Sequence, residues 1–200
     1  MRAYINTTVF NARIFDLARG DRVSREGLIE AAERLIEQDG VAALTMGGLA
    51  AEAGISKGGV QSIFKSKEKL ILELVQHWLD RDQIAFRKAT EGEHAVSKTE
   101  AHINLTKGLD SGSHSKIAAL LAVAAHSASH TAMTRAWYSE RTNNFTATTA
   151  EERRHRLAFL ATEGAYFLRF LAGIEFSDDE WADIFADIVA TLGETKAAPA

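Results

Sequence analysis

The run Ser56-Lys57-Gly58-Gly59, followed by Gln61 and Ser62, sets short and hydrogen-bonding side chains at the start of a helical stretch. Such residues let a backbone and its side chains come close to base edges in a DNA major groove. There an amide such as Gln61 can bond adenine bidentately, and a hydroxyl such as Ser62 can bond several bases. Paired glycines cost a helix on the order of 1 kcal/mol each relative to alanine, and close approach to DNA is a candidate for what offsets that cost. Four lysines (57, 65, 67 and 69) stand against Glu68 alone between residues 53 and 69, in a chain whose net charge is -4. Lys67 opens the next helical run, where an ammonium and free backbone amides would meet a phosphate together. The plainer reading of the same lysines is a solvated surface.

Other chemistry is weakly represented. Ser113-x-x-Lys116 has the spacing of a Ser–Lys nucleophile but none of its companion motifs, and it lies in "GLDSGSHSK", which reads as a loop. No phosphate-cradling glycine motif is present, so no enzyme and no cofactor are expected. The chain has no cysteine, which excludes disulfides and cysteine-based metal sites. His126 and His130, four residues apart, with His102 as a third ligand, offer a metal-sensing alternative, and a helical protein-interaction domain is the other. No metal is expected, because two histidines at helical spacing are more often ordinary wall residues. His102, His126, His130, Trp137, Tyr138, Phe145, Phe159 and Phe167 instead offer aromatic walls with a few polar handles, as a small organic effector of unidentified structure needs.

The elements that must position these residues are all helical. The chain has 200 residues with a single proline, Pro199, and no strand–turn–strand pattern. Residues 1–23 read as an arm, 24–68 as a DNA-binding domain with its helix-turn-helix at about 47–66, 69–193 as a larger helical domain, and 194–200 as a tail. Leu28, Leu35, Leu44, Leu49, Ile55, Val60 and Phe64 should form the core of three short helices, capped by Thr45 and Ser56. Ser66 opens a long fourth helix reaching Phe86. Ser97-x-x-Glu100, Thr149-x-x-Glu152 and Ser177-x-x-Glu180 mark three later helix starts. Between them, one helix should run from Ile117 to about His130 and a shorter segment from Met133 to Tyr138. The longest apolar run, residues 117–125, is too short to span a bilayer, and nothing resembles a signal peptide. A cytoplasmic protein with no membrane partner is expected.

The last two helices carry wide apolar stripes: Leu157, Leu160, Ala161, Gly164, Leu168 and Leu171, then Trp181, Ile184, Phe185 and Ile188. Such stripes either line a monomer's core or meet their copies across a two-fold axis as a four-helix bundle. Their width and the small residues Ala161 and Gly164 favour the homodimer.

The stretch "SREGLIEAAERLIEQDGVAALTMGGLAAEAGISKGGVQSIFKSKEKL" resembles the N-terminal domain of the TetR family of transcriptional repressors over about 47 residues. The likeness rests on Ala31-Ala32-x-x-Leu35-Ile36, Gly40, Leu44-Thr45, Leu49-Ala50, Ala53-Gly54, Ile55-Ser56-Lys57-Gly58, Phe64 and Ser66-Lys67-Glu68-x-Leu70. It implies a homodimer that binds double-stranded operator DNA at a palindrome and is released by a small molecule held in the C-terminal domain. It further implies that Thr45, Lys57 and Lys67 contact phosphate, with positions 56–62 near bases. Gln61 and Ile63 stand where the family usually has Tyr and His, so that aromatic phosphate contact is absent.

Overall fold

The computed structural model describes residues 24–124 and 127–193. The arm (1–23), the tail (194–200) and His126 lie outside the described residues. Every regular element within them is helical, and none of the helices is long and apolar enough to cross a membrane.

Helix α1 (Arg25–Asp39) starts where Ser24 Oγ accepts the Gly27 amide at 3.0 Å. Helix α2 (Met46–Glu52) is capped by Thr45 and α3 (Lys57–Phe64) by Ser56, each hydroxyl accepting the third amide of its helix. Gly54 turns the chain between them at φ 66, a conformation that favours glycine. A Cβ on Gly48 would lie 2.5 Å from the Ala43 carbonyl oxygen, so the entry to α2 requires a glycine there. Leu28, Leu44, Leu49, Val60 and Phe64 are fully buried between these helices, as their spacing predicts, with Ile55 packed at the margin.

Helix α4 (Lys67–Thr90) has 24 residues, which at 1.5 Å per residue spans about 36 Å. It buries Leu70, Ile71, Leu74 and Val75 against the N-terminal helices and Phe86 in the second domain. That domain continues with α5 (Lys98–Lys107), α6 (Ser111–Ala124), α7 (Ala128–Thr142), α8 (Ala150–Tyr166) and α9 (Asp178–Gly193). A π-helical turn, Phe167–Leu171, extends α8. Thr149 with Glu152, and Ser177 with Glu180, form reciprocal capping pairs.

Two sequence expectations fail in the middle of the chain. The stretch expected as a loop is mostly the first half of α6. Asp110 Oδ1 accepts the Gly112 amide at 3.1 Å, and that local cap lets a Ser- and Gly-containing turn become helical. The helix expected to run unbroken to His130 stops at Ala124, and Ser127, with extended backbone, caps α7 by accepting the His130 amide. The segment expected at Met133–Tyr138 is part of α7.

The apolar run of α6 explains its position. Leu120 and Ala124 are buried in the same cluster as Leu28, Val60 and Phe64, with Leu121 and Met133 packed against it. The N-terminal three-helix unit and the second domain therefore share one core. A second core, around Ile103, Ala158, Phe170, Trp181, Phe185 and Ile188, holds α5, α8 and α9 together.

Candidate nucleic-acid interface and effector domain

Helix α3 is anchored by Val60 and Phe64, both fully buried, which turns Lys57, Gly58, Gln61 and Ser62 outward to solvent. Ser62 Oγ donates to the Gly59 carbonyl at 2.7 Å, so its remaining lone pairs face outward as acceptors. A Cβ on Gly58 would meet nothing closer than Ser56 Oγ at 3.9 Å, whereas one on Gly59 would lie 3.3 Å from Ile55 Cδ1. The fold thus explains Gly59 by close packing and leaves Gly58 to be explained by what approaches from outside. Thr45 and Lys67 are also exposed, at the starts of α2 and α4.

Lys65 joins α3 to α4 through a tight turn. Its φ is 66, and the Ser66 amide bonds the Phe64 carbonyl two residues back at 2.7 Å. This positive-φ γ-turn is a rare and strained conformation for a side-chain-bearing residue. Lys65 Nζ folds back onto the Ser62 carbonyl at 2.6 Å, and the turn brings Ser66 into position to cap α4. Arg25 closes the other side, bonding the Glu73 carboxylate and donating to the Ile63 carbonyl at 3.0 Å.

In the second domain, the residues expected to line a pocket only partly come together. His102, Trp137, Tyr138, Phe145 and Phe159 form one aromatic cluster: His102 stacks on Phe159 at 4.2 Å, and Tyr138 lies edge-on to Trp137 and Phe159. His102 Nε2 is 2.9 Å from Glu163 Oε1 but outside hydrogen-bonding alignment, and the Tyr138 hydroxyl donates to the other oxygen of Glu163. Burial, then the Glu163 charge, push the Tyr138 phenol far above its ordinary range. The same two causes raise Tyr166 to about 12.

Phe167 does not belong to this cluster. It is 54% exposed on the outer face of the π-helical turn, because the wider turn rotates it away from the interior. The metal-sensing alternative needs His126, which lies outside the described residues, and Ser127, with extended backbone, caps α7 three residues before His130. His130 sits beside Thr134 at 3.4 Å, and burial holds its imidazole below the ordinary histidine range. Among the described residues no cluster of three or more His, Asp or Glu is disposed to hold a metal ion.

The two expected dimer stripes separate as well. Leu157, Leu160, Ala161, Gly164, Leu168 and Leu171 are exposed, Leu157 at 63%. Trp181, Phe185 and Ile188 are buried in the chain's own second core, with Ile184 packed at its edge. The α9 face that packs on α5 and α8 is thus filled within the chain, whereas Val189, on another face of α9, is exposed.

Sequence reading missed Arg141, whose side chain has no solvent exposure. Its guanidinium lies 3.8 Å from the Trp137 ring centroid and 4.1 Å from that of Phe86. It donates to Asp82 at 2.5 Å and to Gln83 at 2.7 Å, both on α4. The spacing of Trp137 and Arg141, one helical turn apart, was the available signal. Two cavities flank this region. One, of about 520 Å³, lies between the start of α5, the end of α7 and the start of α8. The other, of about 630 Å³, lies where α1 meets α4, α5 and α6.

A helix-turn-helix unit whose core continues into a helical domain bordered by two open clefts is laid out as a DNA-binding regulator is. Residues 28–74 match the profile of the bacterial regulatory proteins of the tetR family, and residues 96–193 that of the tetracyclin repressor-like C-terminal domain. The chain belongs to the TetR family of transcriptional regulators. A transcriptional regulator from Rhodococcus sp. Rha1 shares the fold with a TM-score of 0.66 and 19% identity, over 88% of this chain and 100% of that one. A transcriptional regulator from Streptomyces coelicolor A3(2) follows with a TM-score of 0.59 and 20% identity, over 84% and 98%. The multidrug binding protein EbrR complexed with ethidium has a TM-score of 0.58 and 18% identity, over 85% and 99%. No curated protein sequence matches the chain.

Proposed function

We propose that this ligand-responsive, DNA-binding regulator is a repressor that grips a palindromic operator as a homodimer and lets go when a small organic molecule enters its C-terminal domain. The observation that carries this reading is the shared core: Leu120 and Ala124 of α6 pack in one cluster with Val60 and Phe64 of the recognition helix α3. A ligand that displaces α6 must disturb the seat of α3, so the two binding events are linked. EbrR, of the same fold, is known complexed with ethidium, proflavin and malachite green, which supports small-molecule binding by this fold.

On DNA, Lys57, Lys67 and the Thr45 hydroxyl hold phosphates, while Ser56, Gly58, Gly59, Gln61 and Ser62 face bases. Two copies join through the exposed seam of Leu157, Leu160, Ala161, Gly164, Leu168 and Leu171, placing two α3 helices on successive major grooves. The test is selection of bound sequences from a random DNA pool, followed by a screen of chemically varied compounds for release. An inverted repeat and a releasing compound are expected. Selected sites without two-fold symmetry would overturn the homodimer, and a broad library with no effect on DNA affinity would overturn ligand control.

A further inference from the structure

The C-terminal end of α3 is closed by bonds that its own neighbourhood in the chain only partly supplies. The last four carbonyls of a helix have no partner amide within it. Here the Lys65 amide donates to the Gln61 carbonyl at 3.0 Å, Lys65 Nζ to that of Ser62 at 2.6 Å, and the Ser66 amide to that of Phe64 at 2.7 Å. The remaining carbonyl, on Ile63, is met from another helix. Arg25, the first residue of α1, donates to it through Nη2 at 3.0 Å. The other terminal nitrogen of the same guanidinium donates to both carboxylate oxygens of Glu73 on α4, one of them at 2.6 Å. Its Cζ stands 5.4 Å from the ring centroid of Phe64, the buried anchor of α3. One planar cation thus joins α1, α3 and α4. The rigid fork of donors on arginine permits this, whereas the single nitrogen of lysine is a point charge.

Glu73 lies one turn beyond Lys69 on α4. A bare carboxylate there would work against a polyanion on the neighbouring lysines, and Arg25 occupies it. Both side chains reach solvent, at 55% and 35% exposure, so the pair adds little to stability and its worth lies in what it orients. We propose that Arg25 is a positioning residue for DNA recognition: held by Glu73, it fixes the C-terminal end of α3 against α4 at the angle that base readout requires, and it holds no phosphate itself. This inference rests on the reading of α3 as the helix that meets DNA, and it names what aims that helix. Further along α4, Asp82 and Gln83 accept hydrogen bonds from Arg141 of α7. The helix that aims α3 is therefore also tied into the second domain.

The test uses the full chain and two duplexes, the one most enriched from the random pool and a scrambled one of equal length and composition. Affinities for both are measured by anisotropy across a salt series, and melting curves confirm that each variant is folded. Alanine keeps both helices, so Arg25→Ala and Glu73→Ala are the variants of choice. Each should lower the ratio of selected to scrambled affinity by about threefold or more and leave the salt slope as in the parent. The double variant should lose no more than Arg25→Ala alone, because the two residues act as one unit. Arg25→Lys, which keeps the charge but not the fork, should lose selectivity as Arg25→Ala does. A phosphate-holding Arg25 would give a different pattern: equal losses on both duplexes, a salt slope lower by about 0.9, and parent-like behaviour in Arg25→Lys. That pattern, or an unchanged affinity ratio in both alanine variants, would overturn the proposal. Lys57→Ala and Gln61→Ala are measured alongside. If these weaken DNA binding while the Arg25 and Glu73 variants keep the parent's selectivity, only the positioning role falls. If all four leave DNA binding untouched, the assignment of α3 to DNA falls with it.

Discussion

Glu33 of α1 accepts the indole N–H of Trp78 of α4 at 2.6 Å. Arg81 Nη1, at 3.4 Å, and His77 Nε2, at 3.8 Å, approach the same oxygen. One carboxylate of the DNA-binding domain thus gathers a single turn of the helix that leads to the effector domain. Removing the acceptor of a partly buried N–H costs about 1–3 kcal/mol. Glu33→Ala should lower the unfolding free energy by that order, whereas exposed Glu30→Ala should change it little. Urea unfolding followed by tryptophan fluorescence measures the difference.

The glycines of the DNA-binding domain should divide by cause. Gly58→Ala adds a methyl group to open space and should raise stability by up to about 1 kcal/mol, as alanine does for glycine in a helix. It should nonetheless weaken DNA binding if DNA comes close to that backbone. Gly48→Ala drives a Cβ to within 2.5 Å of the Ala43 carbonyl oxygen and should lower the melting temperature. Thermal melts paired with anisotropy titrations on the selected DNA separate the two effects.

Lys57→Ala and Lys67→Ala should each weaken binding to all DNA sequences alike and lower the slope of log K against log salt by about 0.9. Gln61→Ala should instead cost about 1–3 kcal/mol at one base pair of each half-site. A salt slope unchanged in both lysine variants would remove them from the phosphate contacts. A uniform loss in the Gln61 variant would argue against base readout there.

Leu168, 45% exposed, and Phe185, 0% exposed, should respond oppositely to substitution. Leu168→Asp leaves the protomer folded and should yield monomers in sedimentation velocity, because an unpaired charge is costly to bury between copies. Phe185→Ala should cost about 3–5 kcal/mol of stability through the cavity it leaves. A Leu168→Asp protein that stays dimeric would place the interface elsewhere.

Acid should loosen the start of α8. Hydrogen bonds from the Thr149 and Thr148 amides, then from the Thr148 hydroxyl, hold Glu152 down at about 2, below its ordinary value of 4.5. A depressed folded-state pKa stabilises above the unfolded value and loses that contribution as pH falls from about 4.5 toward 2. Glu152→Ala should therefore be less stable than the parent at neutral pH, and the two should converge as pH approaches 2. Denaturation midpoints across that range provide the check.

The amino-acid sequence by itself determined the helical class, the three-helix unit and the helix starts at Thr45, Ser56, Ser66, Thr149 and Ser177. These are local matters: a cap acts over three residues, and an apolar period shows within two or three turns. The exposed face of α3 was legible for the same reason, since buried Val60 and Phe64 dictate where Lys57, Gln61 and Ser62 point. Tertiary structure alone decided which half of the C-terminal stripes lies inside. Leu168 and Phe185 are alike in polarity and helical spacing, and only the packing of α9 against α5 and α8 sends one to the surface and the other to the core. It decided too that α6 enters the DNA-binding core, and that Arg141 is held between Phe86 and Trp137 with its charge on Asp82. The partners of Arg141 on α4 lie more than fifty residues away in the chain, and burial at that separation depends on which surfaces meet, which no local pattern encodes.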